Sequence, residues 1–274
     1  MELNFGRLAT IIKKEFVENR KTLLLRALLL IGSMVILSQI MGIVHSNVYN
    51  IYDSEWKILN LEYRDPALQP MLVIFIIGAF FVSAFSASFL FENMTSKTKR
   101  LSTLMLPASN AEKFIARFTI FVLGFFVLYF VSCAIAEFSR YIVLQSIYPD
   151  SPNVHLITPS AIIADLDIDF TNKDWLWAFT IFIGAFLFNQ SLFGLGSAVW
   201  PKNSFIKTFG AIWAISITYQ LLTSILIQLF DFSDAHPNSN LLLSLLTGFL
   251  YIGTIFNWVL AYYRFKESEI IQRM

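Results

Sequence analysis

The sequence of 274 residues predicts an all-α integral membrane protein with six transmembrane helices, both termini in the cytoplasm and an amphipathic interfacial helix before the first span. Hydrophobic residues make up 56% of the chain and charged residues only 14%, compared with about 25% charged in soluble domains. A helix crosses a bilayer core with about 20 apolar residues. Six runs of about that length contain no Asp, Glu, Lys or Arg: Ala27–Val44, Met71–Phe91, Phe118–Ala136, Leu176–Val199, Phe209–Phe230 and Leu241–Tyr263.

The distribution of basic residues orients these runs. Of the 20 Lys and Arg residues, only Lys57, Arg64, Arg140 and Lys173 lie in the links after the first, third and fifth runs. The others lie in the leader, the second and fourth links, and the tail. Because cytoplasmic loops carry the excess of Lys and Arg, both termini are predicted to be cytoplasmic. The chain then divides into a leader (residues 1–22), a six-span domain (23–264) and a tail (265–274).

The leader has the pattern of an amphipathic helix. Phe5, Leu8, Ile12 and Phe16 fall on one face at helical spacing. A basic amphipathic helix ahead of a first span usually lies flat among the lipid head groups. The pattern leaves two interpretations, a simple membrane anchor or a helix that also contacts a cytoplasmic partner.

The link between the second and third runs predicts two helices with a break between them. Because Pro107 cannot continue a helix, the preceding helix is expected to stop near Met105 or Leu106. Ser109 and Glu112 have the spacing of a capping box. The third long helix is therefore predicted to start at about Ser109, well before it enters the membrane.

A short basic-then-apolar segment stands between these helices in the predicted cytoplasmic link. Exposed apolar clusters usually mark a partner surface, which is the favoured interpretation, and the alternative is that the leucines fold back onto the head groups. The candidate contact residues are Lys97, Arg100, Leu101, Leu104, Met105, Leu106 and Pro107.

The sequence lacks the motifs typical of hydrolases, nucleotide-binding proteins, proton-coupled transporters and zinc sites. It contains no H-E-x-x-H, G-x-S-x-G or G-x-x-x-x-G-K-[ST] motif. No Asp, Glu or Lys lies in mid-span, where a proton-coupled transporter would carry one. One cysteine, Cys133, and three histidines do not supply a zinc site. We therefore expect no catalytic residue, no metal, no cofactor bound by this chain and no nucleic-acid partner.

A few polar and small residues within the runs predict how the helices meet. Asn189, Gln190 and Gln220 are near mid-span and either join helices by hydrogen bonds or line a substrate path. Small residues recur at every fourth position in two series, one of Ala79, Ser83 and Ala87 and one of Ala84 and Ser88, which predicts close packing of the second span against another helix. At the outer end of the third span, Glu137 and Arg140 are spaced to form an ion pair.

Taken together, the leader, six spans, cytoplasmic termini and the stretch Leu-Met-Leu-Pro-Ala-Ser-Asn-Ala-Glu-Lys-Phe at residues 104–114 resemble permease subunits of type-2 ATP-binding-cassette (ABC) exporters. The Leu-Pro-Ala-Ser motif within it is similar to the versions found in Bacteroides-like bacteria. One departure is the short link of residues 231–240, where family members often carry re-entrant helices.

This resemblance implies a passive permease in the bacterial inner membrane. Lys97–Leu106 would form a coupling helix that docks on a separate ABC ATPase subunit, which binds the ATP-Mg. The leader would lie near the same ATPase, among membrane lipids, and a second permease copy would complete the pathway. The alternatives are a non-transporting membrane scaffold and a membrane-embedded enzyme.

Overall fold

The computed structural model describes residues 4–49, 67–147, 154–158, 173–230 and 239–270. Most of these residues lie in helices, and none of them forms a strand. A short 3₁₀ turn (Glu92–Met94) precedes α4, and a π-helical segment (Thr119–Leu123) joins α5 to α6. In chain order the helices are α1 (Phe5–Glu18), α2 (Arg20–Tyr49), α3 (Leu68–Ala87), α4 (Lys97–Leu104), α5 (Asn110–Phe118), α6 (Gly124–Ile147), α7 (Lys173–Val199), α8 (Ser204–Phe230) and α9 (Ser239–Ile270).

Six helical stretches are long and apolar enough to cross a membrane, which confirms the predicted six-span, all-α architecture. Only helices and closed barrels satisfy their backbone groups within a bilayer, so the chain is a multi-pass membrane protein. The stretches are Arg20–Val44, Leu68–Met94, Asn110–Ile147, Trp175–Val199, Ser204–Ile225 and Leu243–Glu267.

The leader forms a separate helix, α1, which ends at Glu18, before residue 22, where the predicted leader ends. A single turn residue, Asn19, separates α1 from α2. Its N–H donates to the carbonyl of Glu15, and its carbonyl accepts the N–H of Leu23, both in helical register. Helical hydrogen bonding therefore continues through the turn. The second helix, α2, begins directly after it at Arg20, ahead of the apolar run that starts at Ala27.

The helix ends around the second link confirm the sequence signals. Ser96 caps α4 by accepting the N–H of Lys99, and α4 ends at Leu104 with Met105 as its C-cap, just before Pro107. Ser109 and Glu112 form the reciprocal capping box at the start of α5.

The third span is a continuous helix with one irregularity. It has 38 residues from Asn110 to Ile147, nearly twice the length of about 20 residues that crosses a bilayer core. Its apolar run starts only at Phe118, so the first turns of α5 lie outside that core. Within the π-helical segment, the Phe121 carbonyl accepts a hydrogen bond from the Ser86 hydroxyl at 2.7 Å.

The chain forms two compact units, the first built from residues 1–11, 82–122 and 172–274. In this unit Asn257 Nδ2 of α9 donates to Ser191 Oγ of α7 at 3.0 Å. This bond fits the interpretation of intramembrane amides as links between helices. Of the small residues predicted to pack, Ala84 and Ala87 are buried here against Phe193.

The second unit comprises residues 12–81 and 123–171. In it α2 packs on α6, where the Ser38 hydroxyl donates to the Ala136 carbonyl at 3.0 Å and Gln39 Nε2 donates to Ser139 Oγ at 3.1 Å. The predicted pair between Arg140 and Glu137 is confirmed at 2.7 Å, with both side chains buried.

Gly196 marks a close approach of α7 and α8. A Cβ atom at this position would overlap the side chain of Thr208, whereas one at Gly210 would meet no atom within 4 Å. We expect Gly196→Ala to cost about 1–3 kcal/mol of stability through overpacking. The matched control, Gly210→Ala, should be neutral or slightly stabilising. Apparent melting temperatures in detergent would test this, and equal values for the two variants would contradict the packing.

Candidate functional site

The candidate site is the α4 segment, residues 96–109, which joins the second and third spans. One face of α4 is held by the chain itself. Arg100 donates from its guanidinium to the carbonyl of Met94 at 2.8 Å. Thr103, on the same side of the helix, is buried and donates to the carbonyl of Lys99. Arg100, predicted as a partner contact, therefore also fixes α4 to the preceding turn.

The opposite face of α4 is exposed. Lys97, Leu101 and Met105 are spaced at every fourth residue and so share one side of the helix. Leu101 is 59% exposed and Met105 81% exposed. Beyond the helix Pro107 is exposed and Leu106 half-buried, while the side chain of Leu104 lies outside the described residues. The predicted residues thus form a small surface with a basic start and an apolar end.

Arg117 braces the two long helices that flank this segment. Its side chain is buried and donates to the carbonyls of Phe89 and Leu90, which follow the end of α3. The guanidinium also lies 5.1 Å from the centroid of the Phe121 ring. Carbonyls at a helix C-terminus lack partners within the helix, and a cation suits the negative end of its dipole. Arg117 therefore fixes the end of α3 against α5.

An aromatic cluster extends this brace to the end of α9. The rings of Phe91 and Phe265 lie 5.5 Å apart, and those of Phe114 and Tyr262 are also 5.5 Å apart in an edge-to-face arrangement. Aromatic pairs at such distances contribute about 0.5–1.5 kcal/mol beyond the area that they bury. The segments that precede and follow α4 are therefore packed, through Phe91 and Phe114, against the end of α9.

Glu112 connects the leader to this region. Its Oε1 accepts the N–H of Asn4 at 3.0 Å and lies 3.2 Å from the Arg7 guanidinium. Its Oε2 accepts the N–H of Ser109 at 2.8 Å. The Asn4 N–H first, then the Ser109 N–H, with a smaller contribution from Arg7, hold the pKa of Glu112 below its usual value of 4.5. The carboxylate is therefore ionised at neutral pH.

The leader residues predicted to form an apolar face differ in their solvent exposure. Phe5 is 80% exposed and Phe16 50% exposed, whereas Leu8 and Ile12 are half-buried. The spacing still places all four on one side of α1. This face is the part of α1 that is available to head groups or to a partner.

The predicted substrate-path residues have different surroundings. Gln190 is buried in α7, and among the described residues its Nε2 has no hydrogen-bond partner. Asn189 is half-buried beside it, and Gln220 is exposed on α8. None of the described contacts joins Gln220 to the other two amides, so a common path is not assembled by these contacts.

No protein-family model, no curated protein and no solved structure matches the chain.

Two important residues were recognised from the sequence in part only. Glu112 was predicted as a capping residue, but its contacts with Asn4 and Arg7 join positions more than 100 residues apart and leave no local signal. Arg117 was counted only as a basic residue of the link, and no spacing rule connects it to carbonyls of the preceding helix.

The Glu112 contacts predict a specific dependence on pH. Because the folded-state pKa lies below the usual value, the stabilisation is complete above about pH 4.5 and is lost as pH falls through the folded-state value. We expect Glu112→Gln to lower the apparent melting temperature at pH 7 and the difference from wild type to shrink below about pH 4.5. The exposed Glu18→Gln variant is the control, with a small difference throughout. A gap for Glu112→Gln that stays constant with pH would contradict the assignment.

Proposed function

We propose that the chain is the transmembrane permease subunit of an ATP-driven ABC exporter in the bacterial inner membrane, and that it couples through α4 to a separate ATPase subunit. The exposed Lys97–Leu101–Met105 face of α4 carries the proposal. Contiguous exposed apolar surface on a link outside the membrane is typical of a partner interface. Among the possible partners, the resemblance of residues 104–114 to ABC permeases favours the ATPase.

The geometry of the α4 segment suits a mechanical contact. Arg100 fixes one face of α4 internally, which leaves Leu101 and Met105 pointing away as anchors. Interfaces usually depend on a few apolar or aromatic anchors that are desolvated when the partner binds. Because Arg117 ties α5 to the end of α3, a push on α4 would reach two spans at once.

The proposed mechanism is alternating access driven from outside the chain. The ATPase would hold the ATP-Mg, and its closure would displace α4. The absence of a phosphate-binding loop and of a mid-span carboxylate from the sequence agrees with an external motor.

Replacing the apolar anchors of α4 with charges tests this function. We expect the double change Leu101→Asp and Met105→Asp to reduce co-purification of an ABC ATPase subunit by about tenfold or more, because carboxylates would be desolvated in the interface. The control is Ser102→Asp, which adds a charge at an exposed polar position of the same helix.

The co-purification result is read together with the melting temperature of the permease. Unchanged melting of the double variant with loss of the ATPase supports the assignment. Retention of the ATPase by the double variant would contradict it. A scaffold that uses α4 for another protein would show no nucleotide-binding subunit in either sample.

A second copy of the chain is proposed to contact α8. This span is the least buried of the six, because only 6% of its most apolar 18-residue stretch is buried within the described chain. Ser216, Gln220 and Thr223 recur at helical spacing along it. Thr223 donates to the carbonyl of Tyr219, but among the described residues no partner satisfies the amide of Gln220. An amide is costly in hydrocarbon unless it is hydrogen-bonded, which favours a neighbouring helix at this face.

Cysteine cross-linking tests the position of the second copy. With the single Cys133 replaced by Ala, we expect Gln220→Cys to form an oxidative dimer in membranes. The control, Phe249→Cys, carries the thiol on an exposed apolar position of α9 and should stay monomeric. Equal dimer yields at the two positions would contradict an interface at α8.

A further inference from the structure

The two oxygens of the Glu112 carboxylate serve two different parts of the chain. Oε1 takes the backbone N–H of Asn4 at 3.0 Å and the guanidinium of Arg7 at 3.2 Å, both from the leader. Oε2 takes the backbone N–H of Ser109 at 2.8 Å, at the turn that follows α4. One side chain therefore bridges the leader and the α4–α5 turn.

Burial and three hydrogen-bond donors stabilise this bridge. Glu112 is 0% exposed, so its charge is shielded from water and is compensated by the three donors. Hydrogen bonds to an ionised group are shorter and stronger than neutral ones. On the leader side, the side chain of Asn4 also caps α1 by accepting the N–H groups of Gly6 and Arg7. The bridge thus joins the capped start of α1 to the capped start of α5.

The turn between α4 and Ser109 is too short to absorb a displacement freely. After the C-cap Met105, the N–H of Ala108 donates to the carbonyl of Leu106 at 2.8 Å. Pro107 fixes its own φ angle within this turn. Movement of α4 is therefore passed to Ser109 and to the carboxylate bound there.

We propose that Glu112 is a positioning residue that makes the leader move together with α4, so that the partner displaces both elements as one body. The inference rests on the proposed function for the source of the displacement. It assigns the leader a part in transmission, in addition to any contact with lipid. The tether itself is a property of the chain alone and can be measured without a partner.

The distance between the leader and α4 tests the tether. Spin labels would be placed at the exposed positions Ala9→Cys and Ser102→Cys in a Cys133→Ala background, in nanodiscs, and measured by double electron–electron resonance. We expect one narrow distance in the parent chain. In Glu112→Ala the fraction of molecules outside that distance should rise about tenfold, because both sides of the bridge are lost.

A matched pair isolates the backbone donor on the leader side. Asn4→Ala removes the cap of α1 but keeps the N–H that Glu112 accepts, whereas Asn4→Pro removes both. The proposal requires a broad distribution for Asn4→Pro and a narrower one for Asn4→Ala. Ser109→Ala, which keeps the Ser109 N–H and Glu112, should also remain narrow. Equal distributions for Asn4→Pro and Asn4→Ala, or a narrow one for Glu112→Ala, would overturn the tether.

The transmission step is measured in the assembly with the ATPase, trapped with ADP and vanadate. The Ala9–Ser102 distance should stay fixed in the parent chain and change in Glu112→Ala, while the Ser102–Ser102 distance between two copies changes in both. If the Ser102–Ser102 distance does not respond, the proposed function fails, and the transmission step fails with it. If that distance responds but Ala9–Ser102 also changes in the parent chain, the joint movement alone is refuted.

Discussion

The cost of an unpartnered polar group shapes the described part of this protein, because hydrocarbon offers no hydrogen bonds; the buried Nε2 of Gln190 is an exception. Many hydroxyls in the described spans donate to carbonyls of their own helix, as Thr254 does to Leu250. Where a helix ends or deviates, a side chain from a neighbour supplies the partner. Arg117 meets the carbonyls after α3, and Ser86 meets a carbonyl in the π-helical segment. The same bonds that satisfy the backbone therefore also fix which helices are neighbours.

Outside the apolar runs the constraint relaxes, and the α4 segment shows the difference. Water can satisfy an exposed helix face there, so polar side chains would be the ordinary choice. Leu101 and Met105 are instead exposed, while ionised Glu112 is buried among three donors. An apolar face turned outward beside a charge turned inward is a pattern that internal stability alone does not favour, and a docking partner would account for it.

Features encoded by neighbouring residues were predictable from the sequence. The spans follow from uncharged runs, the break at Pro107 from its missing N–H, and the capping box from the spacing of Ser109 and Glu112. Features that join distant positions were not. The bridge from Glu112 to Asn4 and Arg7, the brace from Arg117 to Phe89 and the overlap at Gly196 depend on which helices meet. A single sequence carries no periodicity that reports such pairings, and residues 50–66 and 159–172 of the links lie outside the described part.

A chain without its own energy source can do directed work only through a contact that resists deformation, since a compliant joint would absorb the displacement. In the proposed function that requirement falls on the few residues around α4. Arg100 fixes its start, the Leu106–Ala108 turn limits its end, and Arg117 and the aromatic cluster support its base. Stiffness at this site follows from satisfying buried polar groups with short local bonds. The physics that stabilises the fold thus also supplies the rigidity that coupling to a motor would need.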